Sequence, residues 1–410
     1  MRRNDDYQRE DIIEYRASTI IGTMHIDDKF SNVKLSYKNG TRNEKHKVSF
    51  SSGFEEEILN KLRTRNIFSN KSKKYEELEK ILKDILLFYK NDMFDIKMFV
   101  YQKNDYVEVV RSELNQSDDR EEGYLRINVI QKYNFDYIDI SLNSKNNVIK
   151  DKCVMFLESY IQKTSLKSYV FRNEIIDVIC RPGVGGHIIH EVFGHLLEAD
   201  FIKTNVNILA QKFKIGDRIA EDNLTIVDDI SLIDKSLIGL NQMDDEGSKM
   251  VPIELIKNGV LNSYLCDYHL AREFEISIAG CARKQKYSDR TLPRMRMTGI
   301  LPIGVRTLSE ICNSEDKVVL LDNVMAAQVN PLSGDFIIIG SGLFIKYGLK
   351  EGIINHLVIS GNILKTINSI DIIGTDFESM RVNCVKQGQV IPVGVGSPTI
   401  RIKQVRISGT

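Results

Sequence analysis

Two hydrophobic spacings divide the first part of the chain into predicted helices and strands. The segment 74–90 has an apolar residue every three or four positions, which predicts an amphipathic helix with a charged, solvated face. Three later segments, YVEVVRSEL, YLRINVIQKY and YIDISLN, alternate apolar and polar residues and predict strands of one sheet. A second helix is predicted over 148–163, with four inward-facing residues, Val154, Phe156, Leu157 and Tyr160.

Short strands and tight turns replace this pattern in the second part. It opens with EIIDVIC (174–180), a predicted buried strand, followed by the turn RPGVGG and a helix that begins near His187. All seven prolines lie after residue 181, and only four of the 26 glycines precede it. We therefore predict an α+β fold with a boundary near residue 170. An N-terminal α/β domain covers 1–170, and a mostly antiparallel, β-rich domain covers 171–410 and carries the helix near His187.

The composition is that of a soluble globular protein and gives no argument for nucleic-acid or membrane binding. Lys and Arg total 56 and Asp and Glu total 56, and no run approaches the roughly 18 apolar residues of a membrane helix. The first 15 residues are polar and lack the apolar segment of a secretory signal. No CxxC pair occurs among the six cysteines, so we expect reduced thiols and a cytoplasmic protein.

The segment GGHIIHEVFGHLLEAD (185–200) carries the main chemical signal. It places His190, Glu191 and His195 in the order H-E-x-x-x-H. Neutral imidazoles are good ligands of Zn²⁺, and an adjacent carboxylate can take a proton from the attacking water. We therefore expect one zinc ion per chain, held by His190 and His195, with Glu191 as the general base. The structural alternative is a pair of core or capping histidines.

The spacing of the two histidines predicts a distorted helix over 190–196. Residues five apart on a regular α-helix are rotated by about 140° from each other, so their side chains diverge. They can meet at one ion only if the helix widens locally, as in a π-bulge. Gly194, directly before His195, tolerates such a distortion.

Spacing alone leaves the third ligand open, although a catalytic zinc needs three protein ligands and one open position. The candidates are Glu198, Asp200, Cys266, His269 and Cys384. Glu198 could instead orient a ligand histidine through its other ring nitrogen. For His187, three residues before His190, a place beside the ligands or on the surface is expected. Arg283, Arg294 and Arg296 are expected to be solvated cations in loops.

Several motifs in one order resemble the TldD/PmbA peptidase family. They are HEVFGHLLEAD, DDEG (244–247) leading into VPIELIKNGVLNSYL, AAQVNPLSGDF (326–336) and NCVKQGQVIPVGVGSPTIRI, within roughly residues 174–410. The HExxxH motif marks the TldD-type subunit and is absent from its PmbA (TldE) partner, so the chain resembles the catalytic member. The resemblance implies that Cys384 is the third zinc ligand. It also implies unstructured peptides as substrates and a PmbA/TldE-like paralogous subunit, or a second copy of the chain, as the partner. The first domain is shorter than in the family.

Three functions are weighed on this basis. The first is a zinc metallopeptidase acting on unstructured peptides or peptide precursors. The others are a catalytically silent, zinc-binding regulatory subunit and a zinc amidohydrolase acting on a small molecule. Glu191 favours catalysis, because a structural zinc site has no use for a base beside the metal. The segment PVGVGSP (392–398) is either an exposed edge for an extended peptide or an ordinary hairpin strand.

Overall fold

The computed structural model describes residues 12–27, 40–44, 73–89, 94–111, 114–131, 134–204, 206–286 and 289–409. Their α-helices are Lys73–Tyr89, Asn146–Thr164, Val184–Ile189, Ala199–Lys203, Ile208–Lys212, Tyr268–Glu273, Leu308–Asn313 and Ile363–Thr366. The strands are β1 (Ile12–Asp27), β2 (Gly40–Glu44), β3 (Asp95–Arg111), β4 (Leu114–Gln131), β5 (Asn134–Ser141), β6 (Phe171–Cys180), β7 (Ile226–Asp228), β8 (Ile253–Lys257), β9 (Val260–Leu261), β10 (Ala282–Arg283), β11 (Leu292–Pro293), β12 (Met297–Ile300), β13 (Lys317–Val329), β14 (Asp335–Lys346), β15 (Leu349–Asn362), β16 (Ile370–Ile373), β17 (Glu378–Lys386), β18 (Gln389–Ser397) and β19 (Ile400–Gly409). Over these ranges, no helix is both long and apolar enough to cross a membrane.

The first five strands form one antiparallel sheet in the order β2-β1-β3-β4-β5. The two long helices, Lys73–Tyr89 and Asn146–Thr164, pack against it, because apolar residues of both meet alternate residues of β3 and β4 in one buried cluster. Both predicted helices and the predicted sheet are therefore confirmed. The predicted C-terminal end of the strand YVEVVRSEL is wrong. β3 ends at Arg111, and Leu114 already belongs to β4.

A second sheet of six strands has the order β17-β18-β12-β7-β8-β9. β12 and β18 run parallel, and the other neighbours are antiparallel. In this order β17 is an edge strand and β18 lies between two others. The prediction of an exposed peptide-binding edge at 392–398 is therefore wrong, because β17 and β12 already pair with β18, and the hairpin alternative is correct.

A third sheet of six strands has the order β15-β14-β13-β6-β19-β16. β19 also pairs with β15 through Val358↔Ser408, so that β15, β14, β13, β6 and β19 close into a ring. Only the pair of β6 and β13 is parallel. The C-terminal part of the chain is therefore β-rich and mostly antiparallel, as expected.

The start of this part differs from the prediction in two details. Apart from Phe171, β6 is buried only from Ile176 onwards, since it pairs with β13 only at Val178–Cys180, and Ile175 is 55% exposed. The next helix begins at Val184 rather than near His187. Gly183, with φ of 82°, ends the preceding turn and sets this earlier start.

Two ion pairs, one buried and one half-buried, connect the first sheet and its helices to the rest of the chain. Arg120 on β4 lies 2.5 Å from Asp245, in the DDEG segment. Lys163, near the end of the second helix, pairs with Asp322 on β13. The two parts thus share charged contacts as well as apolar ones.

Candidate metal centre

A widened helical turn brings the two motif histidines to the same place. The α-helix Val184–Ile189 continues as one π-helical turn, His190–Gly194, and then as a short 3₁₀ turn, His195–Leu197. The imidazole centroids of His190 and His195 lie 5.0 Å apart. The distortion expected from the five-residue spacing is therefore present.

The third member of the cluster comes from β17. The ligand atoms of His190, His195 and Cys384 all lie within 4.8 Å of one another, and the Cys384 Sγ is 3.5 Å from the His195 Nε2. A two-residue turn, Gln387–Gly388, joins β17 to β18, and both of its residues have positive φ, the conformation of the tight hairpin turn. This turn fixes the register Cys384↔Ile391 and so points the thiol into the interior.

Close backbone packing holds the motif helix in position. A Cβ on Gly186 would lie 2.3 Å from the backbone nitrogen of Gly396, so the helix lies directly on β18. A Cβ on Gly194 would lie 2.0 Å from the Met295 Sδ, so the π turn is packed equally tightly. Small residues at these two places allow the helix to approach the sheet that carries Cys384.

The donor set fits a zinc ion. His190 is fully buried, and neither of its ring nitrogens has a hydrogen-bond partner. A buried imidazole without a partner is costly, and a metal ion would supply the missing interaction. Two imidazoles and one thiolate are ligands that zinc prefers, and they leave a fourth position open.

The charges of the cluster favour a thiolate. Burial raises the pKa of Cys384, but His190 and His195 outweigh that effect and lower it to about 4. Burial lowers the pKa of His195, while Glu198 and Cys384 raise it well above its usual value. The sulfur is thus held in the form that binds metal.

A buried chain of polar groups supports His195 from behind. Its Nδ1 lies 3.0 Å from the Glu198 Oε2, which leaves the Nε2 directed towards Cys384. Lys386 places its Nζ 3.0 Å from the same carboxylate oxygen and 2.7 Å from Asp200. Lys386 is two residues after Cys384 on β17, so both side chains are on one face of the strand.

Glu191 lies beside this cluster on the motif helix. Its Oε2 is 4.0 Å from the His195 Nε2, and its Oε1 is 3.9 Å from the His187 Nε2. Burial and the charge of His190 lower the pKa of His187 to about 4, so His187 is neutral near pH 7. At these distances the Glu191 carboxylate can reach a small molecule bound next to the histidines.

The structure also shows which candidates lie elsewhere. Within the described ranges, the only cluster of metal-ligating atoms is the one formed by His190, His195 and Cys384, so neither Cys266 nor His269 joins it. Glu198 and Asp200 bind Lys386 instead. Sequence reasoning missed Lys386, although its position two residues from Cys384 was a usable signal.

The expectation that three arginines are solvated is wrong. Arg283, Arg294 and Arg296 are 5%, 0% and 0% exposed. Arg296 is held by Asp228 at 2.6 Å, and Arg294 donates to the Cys384 carbonyl at 2.7 Å. Their partners are remote in sequence, so no local pattern indicated burial.

Two imidazoles and a thiol beside a carboxylate thus form a candidate metal site in the described part of the chain. The chain also matches the family model described as the PmbA/TldA metallopeptidase C-terminal domain, over residues 173–409. The protein therefore belongs to the PmbA/TldD metallopeptidase family, as the sequence motifs suggested.

Individual relatives agree with this assignment. A metalloprotease TldD homolog from Buchnera aphidicola (Schizaphis graminum) is 32% identical over 250 residues, which is 60% of this chain and 50% of that protein. A zinc metalloprotease TldD homolog from Saccharolobus solfataricus is 29% identical over 242 residues, which is 57% of this chain and 51% of that protein. The chain thus spans about half the length of these relatives.

The fold resembles a solved structure over nearly its whole length. TldE from Thermococcus kodakarensis superposes with a TM-score of 0.71 and 18% identity, covering 97% of this chain and 96% of that one. At this identity the comparison establishes the fold alone.

Proposed function

We propose that the protein is a zinc-dependent metallopeptidase that hydrolyses unstructured peptides or peptide precursors. The observation that carries the proposal is the Glu191 carboxylate, 4.0 Å from the His195 imidazole of the cluster formed by His190, His195 and Cys384. His190, His195 and Cys384 would hold one zinc ion. When bound, the ion would polarise the scissile carbonyl and lower the pKa of the attacking water towards neutrality.

The chain's own residues would then move the proton. Glu191 takes a proton from the attacking water and delivers it to the leaving amine. Neutral His187, 3.9 Å from the other Glu191 oxygen, adds no positive charge that would keep Glu191 from accepting it. Glu198 holds the His195 ring in the orientation that leaves Nε2 for the metal, and Lys386 holds Glu198.

An extended peptide fits the edge of the sheet that carries Cys384. β17 is an outer strand of its sheet, so an extended substrate could add to it and pass next to the cluster. Such binding uses main-chain hydrogen bonds and favours unstructured peptides of varied sequence. A domain of residues 1–170 and a domain of residues 171–410 would share this work, the second carrying the chemistry.

The proposed assembly is a pair of subunits in the cytoplasm. The likeness to TldE supports a PmbA/TldE-like partner, with this chain as the catalytic subunit, and a homodimer is the alternative. A thiol ligand supports a reducing compartment, where Cys384 stays free for metal. Two functions compete with this proposal. A silent zinc-binding subunit would have no use for the Glu191 carboxylate, and a small-molecule amidohydrolase would have no use for an open strand edge.

The test compares Glu191→Gln with Cys384→Ser and with the control Glu254→Gln, an exposed carboxylate on β8. Zinc content and cleavage of an unfolded peptide are measured with and without a TldE-like partner. We expect Glu191→Gln to keep zinc and lose cleavage, Cys384→Ser to lose zinc, and the control to keep both. Full cleavage by Glu191→Gln would rule out the mechanism, and cleavage of small amides alone would favour the amidohydrolase.

A further inference from the structure

A polar cavity lies between the first sheet and the β17–β18 hairpin. Its volume is about 70 Å³, several times the space that one water molecule needs. Residues of β3 and β4 form one wall, and Arg283 and residues 390–392 of β18 form another. The cavity is connected to the candidate metal cluster through the β17–β18 pair, because Ile391 in its wall is the pairing partner of Cys384.

The acidic residues that line this cavity all have cationic partners. The ion pairs are Lys103–Asp105 at 2.7 Å, Arg120–Asp245 at 2.5 Å and Arg381–Glu122 at 3.0 Å. The second oxygen of Asp245 is also engaged, since it accepts a hydrogen bond from the Lys284 backbone nitrogen at 2.8 Å. The carboxylates of the wall are therefore occupied by other partners.

Arg283, a buried cation in this wall, forms no ion pair with a carboxylate among the described residues. Its side chain donates through Nη1 alone, to the carbonyls of Pro392 at 2.8 Å and Met295 at 3.4 Å. The charge of Asp245, which Arg120 and the Lys284 backbone engage, acts on it only from beyond ion-pair distance, and no acceptor among the described residues meets its Nε or Nη2. The residue is only 5% exposed, and burial lowers its pKa to about 9.

The open edge of Arg283 has the shape of a carboxylate site. The Nε–H and one Nη2–H of a guanidinium point in parallel along one edge, and this pair matches the two oxygens of a carboxylate. A buried cation without a counter-ion is costly, and an anion in the cavity would lower that cost. We propose that this cavity is a subsite for a carboxylate of the bound peptide, held by the Nε–Nη2 edge of Arg283.

This inference rests on the proposed peptidase function for its ligand, and it names which peptides bind best. The carboxylate comes from the C-terminus of the peptide or from an acidic side chain. For either source, one residue connects the Arg283 subsite with the candidate metal site. Arg283 donates to the backbone carbonyl of Met295, and the Met295 side chain packs on Gly194 of the π turn. Peptides with a suitably placed carboxylate should therefore bind more tightly than those without.

The first experiment needs no hydrolysis. The melting temperature of the full chain is measured in sodium acetate and in sodium chloride of equal ionic strength. The variants are Arg283→Gln, Arg283→Lys and, as a control, Arg306→Gln, whose exposed arginine donates to the backbone carbonyl of Glu310 and to the Ser314 hydroxyl. We expect acetate to raise the melting temperature of the wild type and of the control but not that of Arg283→Gln. Its effect on Arg283→Lys should be weak, because lysine keeps the positive charge but lacks the two parallel N–H donors of the guanidinium. Equal melting temperatures of the wild type in both salts would overturn the proposal.

The second experiment identifies the source of the carboxylate. Binding of an unstructured peptide to Glu191→Gln protein is measured with a free C-terminus, an amidated C-terminus, or amides in place of its acidic side chains. We expect either amidation of the C-terminus or replacement of the acidic side chains by amides to weaken binding at least tenfold. In protein that also carries Arg283→Gln, the same change to the peptide should not weaken binding further. Equal loss for every peptide on replacing Arg283 would indicate a purely structural role and contradict the proposal. An acetate effect without any peptide binding would retain the carboxylate site and reject the peptidase function.

Discussion

Replacing Lys386 by Met should destabilise the metal-free protein by about 3 kcal/mol. The Lys386 Nζ lies 3.0 Å from Glu198, and the two side chains are 3% and 0% exposed. At an effective dielectric constant of about 20, two charges at this distance attract by about 5 kcal/mol, and breaking a buried pair costs about 3–5 kcal/mol. The lower value applies because Glu198 keeps His195 as a second partner.

Urea unfolding in the presence of a chelator measures this loss. The matched control is Lys403→Met, because Lys403 also pairs with an aspartate at 2.7 Å but is 49% exposed, and its loss should cost about 1 kcal/mol or less. Combining Lys386→Met with Glu198→Gln should cost less than the sum of the two single changes, since the second removes the stranded charge. Zinc affinity should fall about 10–100-fold in Lys386→Met, because Glu198 then holds His195 less firmly. A loss no larger than that of the control would refute the role given to Lys386.

Two further predictions concern residues near the centre. Gly194→Ala should lower the free energy of unfolding by about 1–3 kcal/mol, because the new Cβ would lie 2.0 Å from the Met295 Sδ. Combining it with Met295→Ala should cost less than the two changes summed, and additive costs would count against the contact. Burial raises the pKa of Asp244 from 3.8 to about 6. Its protonated form therefore favours the folded state, and its contribution to stability should fall by about 1 kcal/mol as the pH rises from 5 to 7. The difference in stability between the wild type and Asp244→Asn should show this slope, and a constant difference would contradict the shifted pKa.

Local patterns were sufficient for the helices, the first sheet and the distorted turn. Two imidazoles five residues apart can meet only on a widened helix, so the π turn at His190 followed from spacing and geometry. The apolar spacing of 74–90 likewise defined a helix to within one residue at each end. In both cases the residue spacing and the helix that it determines lie in the same short segment, so the sequence of that segment was sufficient.

Features that depend on distant residues could not be predicted in this way. The thiol of Cys384 meets His195 across 189 positions, and the resemblance to a family, not the spacing, singled it out. The burial of Arg296 depends on Asp228, and that of Arg294 on a carbonyl of β17. The order of strands in the second sheet likewise decides that β17, not β18, is the edge.

The two-residue turn at Gln387–Gly388 has a chemical consequence beyond hairpin geometry. An extra residue in that turn would shift the strand by one position and exchange its two faces. Cys384 and Lys386 would then point outward, and the exposed Val385 would take their place in the interior. A single inserted amino acid, far from both histidines in sequence, would thus remove a sulfur donor and a supporting cation together. Relatives whose turn is longer by one residue would be expected to lack this set of ligands while keeping the fold.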